Sequence, residues 1–532
     1  MTSANSLLEA RASRDPSALR LLVCAAIARV TGIAVLVMLA ACGGGGAAVP
    51  TAPANPPRGT LLENPPHLSY TLPVASLLQQ LSIAANQGLL TLGGTPLCDI
   101  SVFHLRYASV GGAGEYATAS GALLVPSGLD SRCRGLRPIV EYAHGTSTDR
   151  AYNIAASGNA EALYLAAFFA AQGSIVVAPN YAGYDTSSLP YHPYLNGDQQ
   201  SKDMIDALTA ARHALATVPV VSDDGRLYIT GYSQGGYVAL ATERAMQAAG
   251  MTVTAAGPMS GPYSLAAFVD AEFAGQVSAD APVVATYLIT AYQKSYGNVY
   301  ASPGDVFEAE YASGVEMLLP TVTPRATLYA QGLLPEYAMF SLTPPAPAFA
   351  DLTPPTTPAA LAPLFALGFG DHNLIVNSYR LSYLLDVEAH PDGGWPLPST
   401  GVAAAAPDLP LRQSLARNDL RTYTPGPPTL LCGGNADPTV YWLNTRLLQQ
   451  AWKARADVPA AATVLDLDSP VVSGEPYGSL KSDFALARSL IAAAAVLQGA
   501  TDGGASAVAA AYHSALVPPF CLAAVREFFL SN

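Results

Sequence analysis

With 532 residues, half of them hydrophobic and only 12% charged, the chain can bury a large core and is not intrinsically disordered. Its 39 acidic against 26 basic residues give a formal net charge of -13, which argues against nucleic acid, whose binding footprint is a basic face. Neutral or cationic partners fit that balance better.

Residues 1–41 read as a targeting segment. Arg11, Arg14, Arg20 and Arg29 make a positive start, and Val30 to Leu39 is an apolar run of signal-peptide length, too short for a membrane span. The segment ends Leu39-Ala40-Ala41-Cys42, which resembles a bacterial lipoprotein signal, in which cleavage leaves the cysteine N-terminal and lipidated. Residues 42–65 are then expected to be a lipidated cysteine and a flexible Gly/Ala/Pro tether, anchoring an extracytoplasmic protein to a bacterial membrane. The alternative is a plain signal peptide with a chance cysteine. Without Cys24 and Cys42, four cysteines remain, and an even number outside the cytoplasm points to two disulfides. Three pairings are possible, besides four free thiols. Placement favours Cys98 with Cys133, which flank adjacent sheet elements, and Cys432 with Cys521.

From residue 66 onward the pattern is that of one α/β domain. Pro73 to Leu92 predicts a helix ended by Gly93-Gly94. Asp99 to Tyr107 and Tyr116 to Val125 predict an antiparallel pair. Pro138 to Ala143 predicts a strand running into the turn His144-Gly145-Thr146-Ser147. Glu161 to Gln172 is a helical pattern, and Gly173 to Ala178 is an apolar run of the kind a buried parallel strand shows. Gln199 to Ala216 carries a helical apolar stripe, with Lys202, Asp203 and Asp206 expected on its solvated face.

The centre of the pattern is Arg226 to Gly250. A β-rich run, Arg226-Leu-Tyr-Ile-Thr230, meets Gly231-Tyr232-Ser233-Gln234-Gly235-Gly236, and Tyr237 to Gln247 follows as a helix. A G-x-S-x-G sequence in that context is a nucleophile elbow: glycines two residues either side of Ser233 let strand and helix approach while the serine sits in a strained turn. The helix start then favours a developing oxyanion. The backbone N–H groups of Gln234 and Thr146 are the expected oxyanion donors, and His144 is expected to pack structurally.

Met251 to Met259 predicts the next strand. From about 263 to 423 the βα rhythm stops, giving way to helical patterns at Leu265–Phe273, Val283–Gln293, Val306–Leu318 and Pro358–Leu367, broken by prolines. An insertion of that length reads as a lid. The sheet resumes at Thr429 to Gly433, and the turn Gly434-Asn435-Ala436-Asp437 places the candidate acid, with Asp466 and Asp468 near the last strand, Thr463 to Leu467, as weaker alternatives. Of eight histidines, His513 alone follows the last strand and precedes a terminal helix, Cys521 to Phe529. His372 beside Asp371 is the alternative, but it lies inside the insertion. The order Ser233, Asp437, His513 matches an α/β-hydrolase and differs from other serine-hydrolase folds.

The elbow at Ser233, the His144-Gly145-Thr146 turn, the strand end Ala178-Pro179-Asn180-Tyr181, the late insertion and the Gly434 to Asp437 turn together resemble the secretory lipase branch of the α/β-hydrolases. The resemblance implies a mostly parallel eight-stranded sheet with helices on both faces, a helical lid, and hydrolysis of carboxylic esters, small-molecule or lipid, without cofactor or metal. Asn180 stands where many such enzymes have Asp, and the gap from Asp437 to His513 is longer than usual, so residues 470–505 have no assigned role. Two other readings remain: an amidase or peptidase with the same triad, and a non-catalytic surface lipoprotein. The insertion's apolar residues (Phe268, Phe273, Tyr287, Tyr292, Tyr296, Phe307, Leu318, Leu319, Phe340, Phe365) should divide between its own core and an acyl pocket.

Overall fold

A computed structural model describes residues 55–83, 86–218, 221–359, 361–455 and 462–532. The targeting segment, Cys42 and the start of the expected tether lie outside the described residues. Nine strands form one sheet: β1 (His67–Leu72), β2 (Asp99–Val110), β3 (Tyr116–Ser127), β4 (Gly135–Ala143), β5 (Ile175–Pro179), β6 (Val221–Tyr232), β7 (Ala255–Met259), β8 (Thr429–Gly433) and β9 (Ala462–Asp466). Their spatial order is β1-β2-β3-β5-β4-β6-β7-β8-β9. The β1–β2, β2–β3 and β3–β5 pairings are antiparallel, and every pairing from β5 to β9 is parallel.

The expected count of eight strands is therefore one short. β1 was the strand missed, because its residues are mostly exposed at the sheet edge and show no buried alternation. Residues 58–62, expected to belong to a tether, are packed on the sheet: Gly59 and Leu62 donate to the Ala108 and Arg106 carbonyls of β2, and Arg58 pairs with Asp206 at 3.0 Å. These residues extend the edge that β1 continues.

Successive strand residues face opposite sides, and each side is covered. Ile139, Ile175, Val177 and Ile229 pack with Ala207, Leu208 and Ala211 of the helix Gly197–Leu215. Val140, Val176 and Tyr228 pack on the other side with Leu165 and Phe168 of the helix Ala160–Phe168 and with Leu522 and Val525 of the helix Val517–Ser531.

The Gly197–Leu215 helix corrects one expectation. Lys202 is partly exposed and pairs with Asp198, but Asp203 and Asp206 are buried. Asp203 accepts from the Tyr107 hydroxyl at 2.9 Å and from the Ala182 amide, while Asp206 accepts from Ser109 at 2.8 Å and from Arg58. Burial, then the neighbouring Asp206, pushes the Asp203 carboxyl up to about 7. The helix is thus held to β2 and to the loop after β5 by polar groups, which an apolar stripe cannot reveal.

Between β7 and β8 the chain forms helices Leu265–Phe273, Ala281–Tyr296, Ala309–Ala312, Arg325–Ala330, Ala362–Leu367, Asn377–Ala389 and Pro410–Asn418. The single helix expected over Val306–Leu318 is only one turn, Ala309–Ala312, because Gly314 takes a left-handed φ of 92°. The Pro73–Leu92 pattern likewise divides into Val74–Ser82 and Gln87–Gly93. Three helices of the insertion have no counterpart in the sequence pattern: the short Arg325–Ala330, and the longer Asn377–Ala389 and Pro410–Asn418. Core-facing positions of the two longer ones include Arg380, Asp386 and Arg412, charged residues that interrupt the stripe and are satisfied inside the protein.

Both expected disulfides are present, with Cα separations of 5.4 Å for Cys98–Cys133 and 5.6 Å for Cys432–Cys521. The second joins the end of β8 to the helix that follows His513.

Candidate active site

Ser233 stands between β6 and the helix Gln234–Ala248 with φ 60° and ψ -122°, an unfavourable conformation for a residue with a Cβ. The glycines around it answer close contacts. A Cβ on Gly235 would overlap the Ala143 carbonyl of β4, one on Gly231 the Gly235 carbonyl, and one on Gly236 the Met259 carbonyl of β7. The Ser233 amide is tied to that same Met259 carbonyl at 3.0 Å. The strain at Ser233 is thus imposed by three neighbouring backbone segments.

His513 reaches this serine from the opposite end of the chain, its Nε2 lying 2.7 Å from Ser233 Oγ. It sits in a π-helical turn, Tyr512–Leu516, between the helices Ala505–Ala511 and Val517–Ser531. The Tyr232 hydroxyl donates to the His513 carbonyl at 2.7 Å, which holds the turn against the elbow. His513 Nδ1 faces Asp437 Oδ2 at 2.6 Å, and Asp437 Oδ1 accepts the backbone N–H groups of Thr439 and Val440 at 2.9 and 3.0 Å. Asp437 is buried, so a serine, an imidazole and a fixed carboxylate form one hydrogen-bonded line.

The alternatives lie elsewhere. Asp466 accepts from Asn435, and Asp468 accepts from the Ala436 amide, the Tyr512 hydroxyl and Arg488, so both brace the loop that carries Asp437. His372 is exposed in the insertion and pairs with Glu310 at 3.0 Å. The unassigned stretch contributes the helix Gly478–Leu497, whose Phe484 packs on Tyr512 and Phe520 and whose Arg488 meets Asp468. Part of the long gap before His513 therefore supports the histidine turn from behind.

Thr146 and Gln234 both line a cavity of about 70 Å³ with Ser233. Supports for this pair were not foreseen. Gln234 donates through Nε2 to His192 Nε2 at 2.7 Å, and His192 Nδ1 donates to the Ala182 carbonyl at 2.9 Å, which fixes the tautomer. Burial lowers the His192 pKa to about 3, so the ring stays neutral and keeps the lone pair that Gln234 needs. Thr146 is held by a 2.8 Å hydrogen bond between its hydroxyl and that of Tyr194. The Glu161 carboxylate accepts from the Gly145 amide at 3.3 Å and from the Tyr142 hydroxyl at 2.7 Å. His144 is buried between the rings of Tyr152 and Tyr181, at centroid distances of 4.3 and 4.1 Å, which is the structural role expected of it.

Most of the cavity wall comes from the segment between β7 and β8: Leu265, Phe268, Val269, Phe273, Val284, Leu288, Ile289, Met339 and Leu411. Of the ten apolar residues expected to divide between core and pocket, only Phe268 and Phe273 line it. Tyr287, Tyr292, Phe307, Leu319 and Phe340 instead pack in the largest core cluster. Aliphatic side chains supply the rest. A second opening of about 320 Å³ lies beside Ser233 and His513 and is more polar, with Glu161, Asp280 and Arg325 on its walls.

Part of this arrangement matches known proteins. Residues 162–257, from the helix before β5 through β7, match the prolyl oligopeptidase family. The structure of a rice cell wall degrading esterase, LipA, from Xanthomonas oryzae is similar over 90% of this chain and 99% of its own, with 26% identity and a TM-score of 0.62. A putative hydrolase from Legionella pneumophila shares the fold, with 18% identity, a TM-score of 0.54, and coverage of 74% of this chain and 89% of its own. No curated protein sequence matches the chain significantly. Sheet order, elbow and these likenesses make the chain an α/β-hydrolase of the lipase-like branch. It is a serine hydrolase.

Proposed function

We propose that the protein hydrolyses carboxylic esters, as a lipase or esterase, with Ser233 as nucleophile. The observation that carries this reading is the hydrogen-bonded line Ser233–His513–Asp437 opening onto a largely aliphatic cavity. His513 Nε2 takes the Ser233 proton as Oγ attacks the ester carbonyl, and Asp437 holds the imidazole tautomer and stabilises the imidazolium. The oxyanion is met by the Gln234 and Thr146 amides, where losing one donor costs about 3 kcal/mol in the transition state. The imidazolium then gives its proton to the departing alcohol, and water hydrolyses the acyl-enzyme by the reverse sequence.

The acyl chain lies in the aliphatic cavity, with the insertion between β7 and β8 as its lid. The similar Xanthomonas oryzae protein is described as an esterase and has also been obtained in a ligand-bound form, which supports a small-molecule ester as substrate. Each buried methylene contributes roughly 0.8 kcal/mol, so kcat/KM rises with acyl length until the cavity is full. A series of p-nitrophenyl esters from acetate to octanoate tests this; flat or falling values would contradict an aliphatic acyl site. The match to the prolyl oligopeptidase family favours a second reading, amide hydrolysis by the same groups. Faster cleavage of an anilide than of the matching ester would move the assignment there.

Lipidation at Cys42 would place the enzyme outside the cytoplasm on a bacterial membrane. Two disulfides in the folded domain support an oxidising compartment. Cys42→Ala is expected to release the protein from the membrane fraction or to block its processing. Fractionation with mass spectrometry of the mature N-terminus checks this, and an N-terminus elsewhere than Cys42 would remove the anchor.

A further inference from the structure

The aliphatic cavity contains one carboxyl group that the hydrolytic mechanism does not use. Glu272, in the last turn of the helix Leu265–Phe273, lines the same cavity as Ser233 and is 7% exposed. Its Oε1 accepts two hydrogen bonds from Ser278, one from the hydroxyl and one from the amide at 3.4 Å. Among the described residues its Oε2 accepts none. No arginine, lysine or histidine lines the cavity to pair with it.

The surroundings hold Glu272 in place. Val277 accepts a hydrogen bond from the Tyr441 hydroxyl at 2.9 Å, and the Ala279 amide donates to the Pro438 carbonyl at 3.0 Å. Segment 277–279, and with it Ser278, is thereby fastened to the loop that carries Asp437. The carboxyl cannot leave for solvent without breaking its Ser278 contacts, and an acceptor left bare in an apolar cavity is unfavourable. Burial raises its pKa to about 7 against the opposing pull of Ser278, so it resides there without a counter-ion.

We propose that Glu272 is a specificity-determining residue that accepts a hydrogen bond through Oε2 from a hydroxyl on the acyl group, making esters of hydroxylated acids the preferred substrates. The inference rests on the reading of the cavity as the acyl site. A plain alkanoyl chain fills the cavity but leaves Oε2 bare, whereas a hydroxyl at the right carbon satisfies both itself and the carboxyl. Sites built to bind a substrate hydroxyl discriminate strongly against the analogue lacking it, because the buried acceptor is then unpaired.

The test compares p-nitrophenyl octanoate with a set of p-nitrophenyl hydroxyoctanoates in which the hydroxyl is moved along the chain. At one or two adjacent positions kcat/KM should exceed that of the plain ester by about tenfold or more. Glu272→Leu should bring that ratio to one or below, and Glu272→Gln, whose amide oxygen keeps the Ser278 hydrogen bonds and whose NH2 can donate to the substrate hydroxyl oxygen, should keep part of it. A ratio that survives in Glu272→Leu, or a wild-type enzyme with no gain at any position, overturns the assignment. The wild-type series decides even if a variant does not fold. Failure to cleave either plain or hydroxylated esters would instead remove the ester-hydrolase reading itself.

Discussion

Ser233→Ala is expected to lower ester turnover by roughly 10⁴- to 10⁶-fold while leaving the fold intact. The loss is large because, in the proposed mechanism, Ser233 Oγ forms the acyl bond, and neither His513 nor Asp437 can replace it. Alanine keeps the Cβ and the φ of 60° that the elbow already tolerates, so the substitution removes only the hydroxyl and its 2.7 Å contact with His513. The measurement is steady-state hydrolysis of p-nitrophenyl butyrate, paired with thermal unfolding. A variant that keeps more than about 1% of wild-type kcat with an unchanged melting temperature would show that another group carries the chemistry. Asp437→Asn should also be severe, about 10⁴-fold, because the amide favours the wrong imidazole tautomer.

Arg421→Met should destabilise the protein by about 3–5 kcal/mol. Arg421 is 1% exposed and lies between two buried carboxylates. Its Nη1 and Nη2 donate to the two oxygens of Asp392, and its Nε and Nη2 donate to those of Asp419. Methionine would fill much of the volume but leave both acids in the interior without a counter-ion. Burial already pushes the Asp392 carboxyl up despite the guanidinium. Asp419 Oδ2 also accepts the Ala266 amide at 3.1 Å, and Ala266 belongs to the helix that carries Leu265, Phe268 and Glu272 into the acyl cavity. The variant should therefore lose kcat/KM toward long esters as well as stability. Urea unfolding measures the first effect, and adding Asp392→Asn should recover part of it. A change below about 1 kcal/mol would mean that water or local rearrangement compensates the buried acids.

The features legible in the residues alone were those written locally. The Ser233 elbow could be read because close strand–helix approach demands glycine at fixed offsets, and β5 and β8 because strands covered on both faces become unbroken apolar runs. The turn at Thr146 was marked by the strand end before it, the positions of Asp437 and His513 by chain order, and the disulfides by cysteines placed beside elements already recognised. The edge strand β1 and the helices around Arg380 and Arg412 were not legible, since half-exposed or charge-interrupted segments carry no clean period.

Tertiary structure alone decided which side chains meet. His192 gave no sign in sequence of its bond to Gln234, nor Glu161 of its bond to Gly145, because these partners lie 42 and 16 residues apart on separate elements. Asp203 and Asp206 were placed on a solvated face by helical periodicity, yet packing buries them where hydroxyls and Arg58 can satisfy them. The acyl cavity is a similar case. Its walls are common aliphatic residues of the insertion, and only folding determines which of them face Ser233 and which fill the core. Local sequence determined where the reacting groups sit along the chain, because backbone geometry restricts the residues allowed there. What surrounds those groups was decided by contacts between distant segments, which a hydrophobic or polar residue type permits in many arrangements.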